Sequence, residues 1–286
     1  MVRLGPFLTP CALIASLVAV LAAQAPSSPP NGLTADAVAQ QAHDRNTGRD
    51  SRMAMRMKLF DRHGRVRERA LTVTSLRGRE VPGTSPTAPD GNRLLIRFTY
   101  PNDIRGTSFL VWEHPKAQGE DERFLYLPSL GRVRRIAGAE TQESFVGSDF
   151  TYEDIGGREL DEYTYAFAGP DNGNASWSPT PGAPARAAWR MESRRKDQSA
   201  EFPRVVSLVL KDTFVVVAAD IYNRRNEKQK TYAVRRLEQV EGIWTVMESE
   251  MADALEKTRT ELGVETADYN VGLKESDFSR RELERR

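Results

Sequence analysis

The chain has 286 residues, 41 basic and 40 acidic side chains, a formal net charge of +1 and 39% apolar residues. That balance excludes the basic excess of a general nucleic-acid binder, the acidic run of a disordered tail and the cation cluster of a polybasic membrane-surface protein. The length fits one large all-β domain or two ordinary ones.

Residues 1–25 read as a cleavable secretory signal peptide. Arg3 is their one charged residue, an apolar run extends from Ala12 to Ala23, and small residues at Ala22, Ala23 and Ala25 suit cleavage. The run of about 12 residues is well short of the roughly 20 needed to span a bilayer; an N-terminal membrane anchor is the alternative. Cys11 precedes the run instead of following it, which disfavours a lipoprotein anchor. It is the only cysteine, so the cleaved chain carries no disulfide, thiol nucleophile or cysteine metal site. The expected product is a soluble protein of about 261 residues and zero net charge, exported to a periplasm.

Thr34 caps a predicted helix from Ala35 to about His43, with Asp36 in its first turn. Beyond it the periodicity is two. In Ser51–Phe60, Met53, Met55, Met57 and Leu59 share one side, and Arg52, Arg56 and Lys58 share the other. Asp61-Arg62-His63-Gly64 is a turn signal, and Arg65–Leu76 returns with Arg65, Arg67 and Arg69 aligned. The pair predicts a hairpin with one apolar and one solvated face. Further strands are expected at 93–100, 107–112, 123–127, 132–136, 160–167, 187–195, 204–210, 213–222, 231–240, 243–251 and 256–262. Hairpin-length gaps between them indicate an antiparallel meander. The aperiodic stretches 79–92 and 169–184, rich in Pro, Gly, Ser, Thr and Asn, read as surface loops within one domain covering 26–286. A short charged helix is expected over Ser276–Arg285, capped by Ser276 or Asp277. Such a sheet must hide its apolar face in a sandwich, a closed barrel, or a half-barrel covered by a helix or a guest molecule.

The centre of the chain is the most informative part. It contains Leu127-Pro-Ser-Leu-Gly-Arg-Val-Arg-Arg-Ile136 and Gly147-Ser-Asp-Phe-Thr-Tyr-Glu-Asp154, within a longer patterned run from Leu94 to Ile155. These runs resemble the LolA-like family of outer-membrane lipoprotein-sorting proteins, and the resemblance extends from about Leu33 to the C-terminus. It implies a mainly β fold, an antiparallel unclosed half-barrel with a short helical or loop lid over an apolar concave face. It also implies a periplasmic, monomeric carrier, without a cofactor, for the acyl chains of a lipid or lipoprotein. The acceptor would be an outer-membrane protein or an inner-membrane RND-type exporter.

An apolar cavity gains roughly 0.8 kcal/mol for each methylene it removes from water. A chain of ~14 methylenes is then held by ~11 kcal/mol before ordering costs, too much for rapid release into water. Hand-over must run downhill to another apolar site. The candidate lining is Met53, Met55 and Met57, then Leu94, Ile96 and Phe98, Phe109 and Val111, Leu125 and Leu127, and Val215 and Val217. The methionines tolerate varied guests because they are flexible and polarizable. Each of these residues can equally pack against the protein's own lid. Phe145, Phe150 and Tyr152 are candidate lid aromatics, with Gly147 as pivot and Ser148 or Asp149 as helix cap. The same aromatics fit a structural corner. Arg132, Arg134 and Arg135 suit a head-group phosphate or a partner's carboxylates, or a solvated face balanced by Glu153, Asp154 and Glu159.

The alternatives are a lipid-acting hydrolase and an accessory protein that docks on an exporter without carrying cargo. Gly-x-Ser-x-Gly, His-Glu-x-x-His and Gly-x-x-x-x-Gly-Lys-Ser/Thr do not occur. His43, His63 and His114 read as solvated loop or helix-end residues, and a non-enzyme is expected.

Overall fold

The computed structural model describes residues 32–78, 91–114 and 119–285. The proposed signal segment 1–25 and residues 79–90 of the predicted loop lie outside them. Alternating strands dominate the described residues. They are β1 (Asp50–Phe60), β2 (Val66–Leu76), β3 (Arg93–Tyr100), β4 (Ser108–Trp112), β5 (Glu122–Leu127), β6 (Arg132–Arg135) and β7 (Tyr163–Phe167). After these come β8 (Asn174–Trp177), β9 (Arg186–Arg195), β10 (Arg204–Leu210), β11 (Val216–Tyr222), β12 (Lys228–Val240), β13 (Ile243–Asp253) and β14 (Thr258–Tyr269). All join one 14-stranded sheet in the order β6-β5-β4-β3-β2-β1-β14-β13-β12-β11-β10-β9-β7, with β8 paired to β9. Every β1 and β14 pairing is antiparallel, and this pair brings the two ends of the meander together at the middle of the sheet. β6 forms one edge, and β7 and β8, which pair with successive parts of β9, share the other. The fold is thus the expected one, a mainly β, antiparallel sheet that curls without closing into a barrel.

The β1–β2 turn forms where predicted. Asp61 Oδ1 accepts from the backbone N–H groups of His63 (2.8 Å) and Arg65 (3.0 Å), and Gly64 supplies the positive φ of 77°. The faces of this hairpin differ from expectation. Met57 lies opposite Arg69 and Leu59 opposite Arg67, so these arginines share the methionine side. That side is apolar at Leu71 and Val73 and cationic nearer the turn. Arg69 is buried there.

Helix α1 (Ala35–His43) has the predicted bounds, and the Thr34 hydroxyl accepts from Ala37 N at 3.1 Å. It lays Ala35, Val38 and Ala39 against Trp189, Met191 and Val209 on the inner face of β9 and β10. The C-terminus breaks into a 3-10 turn (Glu275–Phe278) and a single helical turn, Arg280–Leu283. Asp277 caps the former through the Lys274 N–H (2.8 Å). Phe278 and Leu283 are fully buried against Leu76, Leu95, Leu110 and Phe124 on the outer face, and Trp112 Nε1 donates to the Phe278 carbonyl at 2.7 Å. Within the predicted loop 169–184, β8 adds four residues of strand that no apolar alternation announces. β14 continues seven residues past its expected end through Gly263, Glu265 and Thr266, because β1 offers it a full-length partner.

Candidate functional site

Between edge strands β6 and β7 the chain crosses the inner face of the sheet. This strap, residues 136–162, contains short 3-10 turns and helix α2 (Tyr152–Gly156). It folds into a tight corner in which Phe145 N donates to Phe150 O (2.8 Å) and Tyr152 N to Glu143 O (3.1 Å). The α2 cap is Thr151, not Ser148 or Asp149. Its hydroxyl accepts from Asp154 N while Asp154 accepts from Thr151 N, both at 3.0 Å. Asp149 anchors the strap to β14 instead, through the hydroxyls of Thr258 and Thr260, the latter at 2.6 Å.

The strap fills one half of the inner face. Phe145 is fully buried, with ring centroids 5.9 Å from Phe98, 5.4 Å from Phe109 and 5.5 Å from Tyr152. Met57, Ile96, Val111 and Leu125 complete this cluster, with Met55, Leu94 and Leu127 packed at its margin. A Cβ on Gly156 would stand 3.2 Å from Val111 and 3.4 Å from Phe109, so the absence of a side chain lets α2 sit close on β4. Val146 and Gly147 both take positive φ, 50° and 74°. For a β-branched residue that conformation costs about 1–3 kcal/mol. Arg69 Nη1 holds it by donating to the Val146 carbonyl at 2.6 Å.

The other half of the inner face holds a cavity of about 510 Å³. Ala39, Ala42, His43 and Arg45 line it from α1 and the turn after it. The strap contributes Phe150, Ile155 and Leu160. The sheet contributes Met191, Val205, Val209, Val215, Ile221, Val246, Met251 and Leu262. A buried polar network closes one side. Glu153 accepts from Tyr163 Oη (2.6 Å) and Arg195 Nη1 (2.7 Å), and Arg158 donates to Asp154 at 2.7 Å. Burial pushes Asp154 up, but the Arg158 charge and the Thr151 hydrogen bonds outweigh it and hold the carboxyl below its usual range. Burial, reinforced by Glu153, raises the Tyr163 hydroxyl against the opposing pull of Arg158.

A second hollow of about 650 Å³ lies along the seam beside the strap, lined by Asp121, Arg123, Glu159, Glu162, Arg195 and Glu201 among others. Burial together with Asp121 and Glu162 raises the Glu159 carboxyl.

Of the candidate lining residues, Val215 reaches the 510 Å³ cavity. Met57, Ile96, Phe98, Phe109, Val111 and Leu125 lie beneath the strap, Met53 is half-buried on β1, and Val217 is buried in a separate cluster with Trp177 and Leu210. Among the lid candidates, Phe150 lines the cavity while Phe145 and Tyr152 belong to the packed half. Arg132, Arg134 and Arg135 are exposed on edge strand β6, and Arg134 pairs with Glu140 at 3.0 Å. The histidines are dispersed. His43 contacts Asp44 (3.0 Å), His63 Arg62 (3.1 Å) and His114 Glu122 (3.3 Å). Sequence reasoning missed the contributions of α1, Arg45 and β9–β13. The alternation Val205, Ser207, Val209 carried a signal, but no rule told which side of β10 faced inward.

A profile described as an uncharacterized protein family matches residues 90–285, well over half of the chain. The chain belongs to that family. No curated protein matches it. Among solved structures, a DUF1329 family protein from Desulfovibrio piger is similar at 28% identity and a TM-score of 0.73, over 87% of this chain and 97% of that one. A domain described as outer membrane lipoprotein-sorting, from Vibrio parahaemolyticus, is similar at 27% identity and a TM-score of 0.72, over 88% and 98%. A LolA superfamily protein from Nitrosomonas europaea shares the fold at 14% identity and a TM-score of 0.62, over 87% and 99%. The family's structural neighbours are therefore DUF1329 and LolA-superfamily proteins, in line with the resemblance carried by the central motifs.

Proposed function

We propose that this protein is a periplasmic carrier that shelters the acyl chain of a lipid or lipoprotein and hands it to a membrane or exporter. The observation that carries the reading is the 510 Å³ cavity between α1, the strap and β9–β13, whose sheet lining is mostly Val, Ile, Leu and Met. Its size falls within the usual range for small-ligand sites, roughly 300–1,000 Å³. The lipoprotein-sorting description of the Vibrio parahaemolyticus relative supports the same class of cargo. The apolar run within residues 1–25 supports export.

In this reading the strap is the lid. Phe145, Phe150 and Tyr152 hold it down, and the Val146–Gly147 corner is where it bends. When it lifts, Met53, Met55, Met57, Leu94, Ile96, Phe98, Phe109, Val111, Leu125 and Leu127 become additional lining beside Val215, while Val217 packs behind the cavity. The exposed Arg132, Arg134 and Arg135 meet the acceptor. A hydrolase is the weaker reading, because the three histidines engage Asp44, Arg62 and Glu122 and none engages a hydroxyl nucleophile among the described residues.

The test is direct. Protein purified without detergent is extracted into organic solvent and the extract weighed by mass spectrometry, and delipidated protein is titrated with a fluorescent fatty acid. Stoichiometric lipid and saturable uptake are expected. A protein that yields no lipid and takes up no probe is not a carrier, and phospholipid turnover lost on His114→Ala would make it a hydrolase.

A further inference from the structure

The cavity has a polar end. Arg45 lines it, half-buried, and its guanidinium makes one hydrogen bond, from Nη1 to the Trp244 carbonyl at 3.2 Å. Among the described residues no carboxylate lies within ion-pair distance of it. The other charged groups lining the cavity are differently placed. Arg158 holds Asp154, Glu153 holds Arg195, and His43 contacts Asp44. Arg45 is thus the one lining cation without a carboxylate partner among the described residues, with the Tyr232 and Tyr269 hydroxyls as its nearest acidic groups, on a guanidinium that offers five N–H donors. Burial lowers its pKa, the mark of a charge kept away from water. Arg77 adds a second cation nearby, donating from Nη1 to the Arg45 carbonyl at 2.6 Å.

Position matters as much as charge. Trp244 is the second residue of β13, so Arg45 stands at the end of the cavity where Val246, Val209 and Val215 line it. Met251 and Ile221 line the far end. From Val246 to Met251 the strand advances about 17 Å at ~3.4 Å per residue. The 510 Å³ cavity falls within the usual range for small-ligand sites, roughly 300–1,000 Å³, so it has room for an acyl tail.

Building on the carrier reading, we infer that the cavity takes an acyl amphiphile with an anionic head, the carboxylate or phosphate held by Arg45 and a tail running along β13 toward Met251. A charged hydrogen bond to a guanidinium is about twice as strong as a neutral one, and its planar fork can grip two oxygens of either head.

The experiment uses the delipidated full chain with three probes of equal tail: palmitate, 1-palmitoyl lysophosphatidate and methyl palmitate. Affinities come from displacement of a fluorescent fatty acid, and stoichiometry from native mass spectrometry. Saturable binding is expected, with at least one anionic probe binding 10-fold or more tighter than the ester. The tighter of the two anions identifies the head. In Arg45→Gln that advantage should vanish while ester affinity stays the same, and Arg45→Lys should keep part of it. Equal affinity of all three probes for the wild-type protein overturns the role of Arg45, without reliance on any variant. If none of the three binds, the carrier reading itself fails.

Discussion

Replacing Phe145 by alanine separates a lid from an ordinary piece of core. The ring is fully buried and touches Phe98, Phe109 and Tyr152. Truncating such a side chain removes about 3–5 kcal/mol from whatever structure the ring holds together. If the strap unfolds only with the rest of the protein, the whole amount appears in global stability. At about 2–4 °C per kcal/mol for a domain of this size, Tm falls by roughly 6–20 °C. If the strap opens as its own unit, the loss is spent mainly on that local equilibrium. The open population then rises by about two to nearly four orders of magnitude, at a factor of ten per ~1.4 kcal/mol. The amides to watch are Phe145 and Tyr152, whose bonds to Phe150 O and Glu143 O close the corner. Hydrogen exchange of the variant should accelerate at these two positions far more than in β13, with a Tm loss well below the full range. A full drop in Tm, with exchange at the corner no faster than global unfolding, would refute the lid.

Four smaller tests follow from the same contacts. Thr151→Ala removes one arm of the α2 capping box and should lower stability by about 1 kcal/mol, read from urea midpoints. Ending the chain after Lys274 strips Phe278 and Leu283 from the outer face, at roughly 1.5–3 kcal/mol each, and should expose surface that binds a hydrophobic dye. Asp154 has a folded pKa below its unfolded value near 3.9. Its contribution is therefore complete above about pH 4 and lost as the pH falls through the lowered value, so the stability gap between wild type and Asp154→Asn should close in strong acid. Glu159 is shifted the other way, so its ionisation opposes folding as the pH rises through the raised value. Glu159→Gln should raise Tm at pH 7 and leave it unchanged at pH 4.

The sheet was legible because its strands obey a local rule. Alternation marks Met53–Leu59 or Val205–Val209 wherever one side is buried, and Thr34 announces α1 through its own side chain. β8 escaped because Asn174-Ala-Ser-Trp offers a single large apolar residue, and β9 rather than its own pattern recruits it. Arg69 escaped because its burial depends on a carbonyl 77 positions away in sequence, at Val146. The cavity was the hardest to foresee. Which half of the inner face is packed depends on where Phe145 and Tyr152 land, and the strap's path between two sheet edges is a property of the whole topology. The richest apolar strip in the sequence, from Leu94 to Leu127, is for that reason the one the protein's own aromatics occupy in this state.

An unclosed sheet has two margins with unsatisfied backbone groups, and such margins recruit other chains. Here they are β6, four residues long, on one side, and β7 and β8, five and four residues long, on the other. Each presents too few outward bonds to template an added strand. Three of the four residues of β6 are arginines, so a second copy approaching edge to edge meets like charge. The opening that allows the sheet to keep a hollow interior is thereby framed by its least adhesive strands. Apolar residues added at either margin should strengthen edge-to-edge association.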